Sequence, residues 1–206
     1  MSSGGKVFLV DDEPGMRRAL QRLLEAEGLR VESFGTAADF LAGLSEDDVG
    51  CVVLDLAMPG LDGLELQRRL AGSEARLPIV FLTGRGDIPT SVLAIKAGAI
   101  DFLTKPVKSA DLLRAVRAAL GHVAAHQTAE RTTAEFRARL AQLTPREREV
   151  LEHVIAGKRN KLIAARLGTT EQTIKVHRGR VMDKLGVDSV AELVRAAQQV
   201  GVTPAS

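Results

Sequence analysis

Four short apolar runs, each ending abruptly in a polar side chain, constrain this chain more than anything else in it. Val7-Phe8-Leu9-Val10 leads into Asp11-Asp12-Glu13, Val52-Val53-Leu54 into Asp55, Ile79-Val80-Phe81-Leu82 into Thr83-Gly84, and Asp101-Phe102-Leu103-Thr104 into Lys105-Pro106. Runs of this length and composition read as buried strands, and Pro59-Gly60 soon after Asp55 marks a loop opening. If the strands are parallel, all of these polar groups collect at one edge of a sheet. That edge is where open α/β sheets bind ligands.

Between the runs the hydrophobic period changes to that of helices. Pro14 opens a helix carrying Ala19, Leu20, Leu23 and Leu24, which Gly28 can close, and Val31 to Phe34 reads as a further strand. Helices with Phe40, Leu41 and Leu44, and with Leu64, Leu66 and Leu70, flank the Asp55 strand. Another, around Val92, Ile95 and Lys96, follows Pro89 and ends at Gly98. Five βα units in about 115 residues predict a doubly wound parallel sheet. Ser109 can cap the last helix, with Leu112, Leu113, Val116 and Leu120. Residues 122–142 are charged and helix-compatible with few core residues, which fits a linker or a continuation of that helix; helical from 109 to 140, it would span about 45 Å.

Residues 143–206 have another character. Thr144-Pro145-Arg146-Glu147 is a capping box with Pro at the first helical position, and Ser189-Val190-Ala191-Glu192 is a second. Four short helices are expected, near 145–156, 160–167, 170–185 and 189–199. Asn160 to Leu167, then Gly168, then Thr169 onward has the spacing of a helix-turn-helix. The architecture expected is therefore α/β at 1–121, a helical linker at 122–142 and a small all-α domain at 143–206.

Charge divides along the same line. Residues 1–121 hold 14 Lys and Arg against 17 Asp and Glu, a net of −3, and residues 122–206 hold 14 against 9, a net of +5. A basic C-terminal module fits a polyanionic partner and fits a solvated helical surface equally. With 3% aromatics and neither Trp nor Tyr, recognition of single strands by base stacking has little to work with. The lone Cys51 reads as a small buried hydrophobe, which excludes a disulfide or cysteine zinc site within one chain. The first residues lack the apolar core of a signal peptide, and no stretch approaches membrane-spanning length, so a cytoplasmic location without membrane contact is expected.

Asp11, Asp12 and Asp55 would place three carboxylates in one pocket. Their repulsion calls for a cation, and all-oxygen ligation favours Mg²⁺. With the Thr83 hydroxyl and the Lys105 ammonium, the set complements a dianionic phosphoryl group, and Asp55 can serve as its nucleophilic acceptor. Each acid taken singly reads as a turn or helix cap; five groups at strand ends favour the functional reading.

These residues, spaced over about 115 positions, resemble the receiver domain of two-component response regulators. The resemblance implies a sheet of order 2-1-3-4-5 and phosphotransfer to Asp55 from a sensor histidine kinase. It implies Mg²⁺ ligation by Asp12, Asp55 and the backbone carbonyl of Ala57, with Asp11 assisting. Thr83 and Lys105 would grip the phosphoryl oxygens, Phe102 would change rotamer, and a cis bond would precede Pro106. Val92, Ile95, Lys96, Asp101 and Phe102 would form the output surface. Lys96 and Asp101 either pair across a two-fold axis in a phosphorylated homodimer or are ordinary surface charges.

On a helical wheel Ile174, Val181 and Leu185 share one face, leaving Lys175, Val176, Gly179, Arg180 and Asp183 outward. An outward valine among cations suits a helix entering a major groove, where it can meet a thymine methyl; the alternative is a solvated basic helix with a stray valine. Arg178, Lys184, Lys161 and Lys158 can hold phosphates. Leu143-Thr144-Pro145-Arg146-Glu147, Gly157, Asn160-Lys161, Ile163-Ala164, Leu167-Gly168, Thr173 to His177 and Lys184 to Val187 resemble a LuxR-type output domain. The whole chain is thus similar to the FixJ/NarL subfamily of transcriptional regulators, which implies double-stranded promoter DNA and RNA polymerase as partners. In that subfamily positions 175, 176 and 179 reach base edges. Gly179 departs from the usual long side chain, so readout there falls to Arg180, close backbone approach or DNA shape. Val190 to Val200 resembles the dimerisation helix of such domains.

Two rivals are weighed. A hydrolase working through an aspartyl phosphate is disfavoured by Ala57, where a second acid would be needed for proton transfer; catalysis would be limited to the chain's own phosphotransfer and dephosphorylation. A phosphate sink or RNA-binding antiterminator is disfavoured by Lys175, Val176 and the paired-helix spacing. His177 reads as a packing residue, His122, His126 and His153 are scattered, and Gly84-Arg85-Gly86 is no dinucleotide fingerprint.

Overall fold

A computed structural model describes residues 5–45, 47–71, 77–84 and 88–205, so Arg85 and Gly86 lie outside the described residues. The chain forms two compact units, Met1–His126 and Gln127–Ser206. In the first, β1 (Lys6–Val10), α1 (Pro14–Ala26), β2 (Arg30–Phe34), α2 (Ala37–Gly43) and β3 (Gly50–Asp55) are followed by α3 (Gly63–Ala71), β4 (Ile79–Thr83), α4 (Ile88–Lys96) and β5 (Asp101–Thr104). The strands form one sheet of order β2-β1-β3-β4-β5, parallel throughout.

The apolar runs are continuous because the central strands are covered on both faces, as parallel sheets require. Successive side chains point to opposite faces. Phe8, Val10, Val52, Leu54, Ile79 and Phe81 pack with Phe40 of α2, Leu66 and Leu70 of α3 and Ala94 of α4. Val7, Leu9, Cys51, Val53, Val80 and Leu82 pack with Leu20 and Leu24 of α1 and with Leu112, Ala115, Val116 and Ala119. Cys51 is fully buried, which pushes its thiol pKa up to about 12 and leaves it inert. Among the helices covering the first face, buried Gln67 of α3 donates to the backbone carbonyl of Ala94 in α4 at 3.1 Å.

The last four named residues of the second face lie on α5 (Ser109–Leu140), a 32-residue helix that continues through Gly121 and most of the stretch expected as a linker, ending two residues before 142. Its final turns are richer in core residues than the sequence suggested: Phe136 and Leu140 are buried in the second unit. There α6 (Pro145–Ile155), α7 (Asn160–Leu167), α8 (Glu171–Leu185) and α9 (Val190–Gln199) surround Val150, Leu151, Ile163, Ile174, Val181 and Leu193. Thr144 and Glu147 complete a reciprocal capping box at α6. Gly168 stops α7 in the left-handed region at φ 63°, setting the tight turn into α8. Among the described residues no helix is long and apolar enough to cross a membrane.

Gly50 is required where β3 starts against β1, because a Cβ there would collide with the Lys6 carbonyl oxygen, a backbone atom that cannot swing away. Gly50→Ala should therefore lower the unfolding free energy of the first unit by about 1–3 kcal/mol, the usual cost of overpacking, as read by urea denaturation.

Candidate functional site

The carboxyl ends of β1, β3, β4 and β5 bring the five expected groups together. Asp11 follows β1 and is fully buried, Asp55 is the last residue of β3 and 4% exposed, and Thr83 is the last of β4 and 2% exposed. Lys105 follows β5; its amide donates to the Thr83 carbonyl at 2.6 Å, and its peptide bond to Pro106 is cis, as expected. The ammonium enters the pocket and bridges the acids, with Nζ 2.7 Å from Asp55 Oδ2, 2.9 Å from Asp11 Oδ2 and 3.3 Å from Glu13 Oε1. The other oxygens are also held: the Glu13 amide donates to Asp11 Oδ1 at 2.8 Å and the Ala57 amide to Asp55 Oδ1 at 3.1 Å.

These contacts set the charges. Burial opposes the Lys105 ammonium, but hydrogen bonds to Asp55 and Asp11 outweigh it and raise its pKa above the ordinary lysine value. Burial pushes the Asp11 carboxyl up, and the bonds from Lys105 and the Glu13 amide only partly offset this. Asp11, Asp12 and Asp55 each offer a ligand oxygen, all within 4.8 Å of one another. Such an all-oxygen donor set, part buried and part exposed, fits a hard divalent cation. Glu13, which follows β1 like Asp11 and Asp12, also reaches the lysine, although sequence reasoning assigned it no role in the pocket.

In the second unit Ile174, Val181 and Leu185 are buried as the helical wheel required, while Lys175, Gly179 and Arg180 are exposed and Val176 is 44% exposed. Lys161 is exposed and Lys158 half-buried. Arg178 is half-buried, its guanidinium donating to Asn160 Oδ1 at 3.2 Å. Lys184 is exposed, and its Nζ lies 2.7 Å from Oε2 of Glu147, a buried carboxylate of its own domain. His177 is half-buried, and its Nδ1 is buried without a hydrogen-bond partner, in keeping with a packing role.

Known proteins share both units. Residues 7–117 match the response regulator receiver domain and residues 141–197 the luxR family of bacterial regulatory proteins. Nodulation protein W of Bradyrhizobium diazoefficiens is 43% identical over 96% of this chain and 87% of its own. Transcriptional regulatory protein FixJ of the same organism is 41% identical over 98% of both chains. The chain belongs to the FixJ/NarL-type response regulators. Among solved structures, response regulator StyR is 43% identical, with a TM-score of 0.78 over 96% of this chain and 100% of its own. Full-length FixJ from B. japonicum is 42% identical, with a TM-score of 0.58 over 96% and 97%.

This response regulator is accordingly a phosphorylation-activated transcription regulator, with a receiver that takes a histidine kinase as partner and a DNA-binding LuxR-type domain. On its receiver Val92 and Ile95 of α4 are 45% and 47% exposed, and Leu93, which the sequence did not single out, is 59% exposed. Phe102 is half-buried, its ring centroid 6.2 Å from that of Phe81. Asp101 lies 3.7 Å from Arg114 of its own chain.

Hydrogen bonds from Lys184 and from the Thr144 amide hold the Glu147 carboxyl down at about 2, against an ordinary 4.5. A depressed carboxylate contributes stability that is complete above the unfolded value and lost as pH falls through the folded one. The second unit should therefore lose stability from about pH 5 to about pH 2. In Glu147→Gln that acid-dependent loss should be smaller, as followed by urea denaturation of the helical circular dichroism signal.

Proposed function

We propose that Asp55 of this regulator is the phosphoacceptor. The observation that carries the reading is one arrangement: a carboxylate at the end of the central strand, grasped by Lys105 and lying beside Asp11 and Asp12. An Asp55 oxygen forms a bond to phosphorus as the bond from phosphorus to the kinase's histidine nitrogen breaks. Asp11, Asp12, Asp55 and the Ala57 carbonyl would hold Mg²⁺, which supplies positive charge to the phosphoryl oxygens when bound. Lys105 leaves its contact with Asp55 and takes one phosphoryl oxygen, while the Thr83 hydroxyl takes another. The chain's catalysis is confined to this phosphotransfer and its own dephosphorylation.

Thr83 and Phe102 then report the state to the surface of Val92, Ile95, Lys96, Asp101 and Phe102, where two phosphorylated copies join. Receiver, linker and output domain are assigned to 1–121, 122–142 and 143–206, with Phe136 and Leu140 packing in the output core. Helix α8 enters the major groove of promoter DNA with Lys175, Val176, Gly179 and Arg180 toward the bases, and Arg178, Lys161 and Lys158 toward phosphates. RNA polymerase is the downstream partner, and the site of action is the cytoplasm.

Two measurements test this. Mg²⁺ should raise the thermal midpoint of the receiver in the wild type, and Asp12→Asn should abolish most of that rise; an equal rise in the variant would remove Asp12 from the ligand set. Light-scattering mass with Mg²⁺ and beryllofluoride, an aspartyl-phosphate mimic, should move from monomer to dimer in the wild type and stay monomeric in Asp55→Asn. A mass unchanged in both would sink the coupling of Asp55 to dimerisation.

A further inference from the structure

Within the second unit, the start of α6 holds both helices of the helix-turn-helix. Arg146 donates through Nη2 to the backbone carbonyl of Leu167, the last residue of α7. The next residue, Glu147, is 3% exposed, and its Oε2 accepts from three donors: the Thr144 amide at 2.8 Å, the Thr144 hydroxyl at 3.0 Å and Lys184 Nζ at 2.7 Å. Lys184 sits in the last turn of α8 and also donates to the Gln142 carbonyl at 3.5 Å. One residue on, the Leu185 carbonyl accepts from Arg139 Nη1 of α5 at 3.1 Å. Among the described residues the polar partners of the Lys184 ammonium thus lie in the turn before α6, at Gln142, and in the first turn of α6, at Glu147.

We infer that Lys184 is a positioning residue of the recognition helix and not a phosphate contact: with Glu147 it forms a clasp that fixes the C-terminal end of α8 against α6. The inference rests on the reading that α8 enters DNA. A carboxylate this buried tolerates little displacement of its cation, since moving the ammonium away strands an unpaired charge. The exposed face bearing Lys175, Val176 and Arg180 is thereby held at one pitch relative to the rest of the domain. Base-edge hydrogen bonds need that constancy, because they weaken steeply with misalignment.

Phosphate contact and positioning leave different signatures. A lysine on phosphate contributes about 0.9 to the slope of log affinity against log salt, whereas a clasp inside the domain contributes nothing to it. The full-length chain, with Mg²⁺ and beryllofluoride, would first enrich a duplex from a random-sequence pool. Its affinity would then be measured across salt for the wild type, Lys184→Met, Glu147→Gln and the double variant, below the unfolding temperature of each. Lys161→Met serves as the phosphate-contact control.

The expected result is that Lys184→Met binds about tenfold more weakly with the wild-type salt slope, and that the double variant binds no worse than Lys184→Met alone, because the two residues act as one unit. A slope lowered by about 0.9 in Lys184→Met, as expected for Lys161→Met, would overturn the inference, as would affinity unchanged in a folded variant. If Lys184→Met does not fold, the double variant carries the same test, since it leaves no buried carboxylate unpaired. A wild type that enriches no duplex would instead refute the DNA reading itself, and with it any helix for Lys184 to position.

Discussion

The receiver depends on a balance of charge at one end of its sheet. Two buried carboxylates from adjacent strands, Asp11 and Asp55, repel each other in a region where water screens poorly. The Lys105 ammonium, from the far edge of the sheet, lies within 2.9 Å of both. A parallel sheet makes this meeting possible, because it sends all its strand ends to the same side. The order β2-β1-β3-β4-β5 puts the acids at the ends of the adjacent strands β1 and β3 and the lysine after β5, two strands from β3, within reach of a long flexible side chain. Stability and the proposed chemistry therefore draw on the same charges: the lysine that offsets Asp11 and Asp55 is the group proposed to take a phosphoryl oxygen.

The output domain solves a related problem differently. Glu147 is buried where no other acid competes with it, so one lysine and one threonine satisfy it. The receiver site is a set of like charges under tension, suited to change on binding. The Glu147 site is a closed pair with its hydrogen bonds made, suited to staying as it is.

Much of this was legible in the residues. The parallel sheet showed because strands buried on both faces leave uninterrupted apolar runs, and the pocket showed because its members stand at the ends of those runs. The HTH helices showed because Thr144, Gly168 and Ser189 punctuate them with local chemistry. What stayed hidden was long-range. The capping box announced that Glu147 faces Thr144, but nothing local announces an ammonium 37 positions later. Phe136 and Leu140, spaced one helical turn apart in a charged stretch, gave too weak a period to separate core from linker. The contact of Asp101 with Arg114 depends on how β5 and α5 pack, which periodicity does not encode.

One small feature of the receiver core bears on how any rearrangement there would proceed. Ala94 of α4 packs in the apolar core beneath it, and apolar surfaces can slide in small increments at little cost. The buried bond from Gln67 to the Ala94 carbonyl cannot. It is either made or broken, and breaking it strands the buried Gln67 amide donor away from water, while the Ala94 carbonyl keeps its bond from the Ala99 amide. Movement of α4 away from α3 thus costs this bond, and the surface carrying Val92, Leu93 and Ile95 is tied through it to α3.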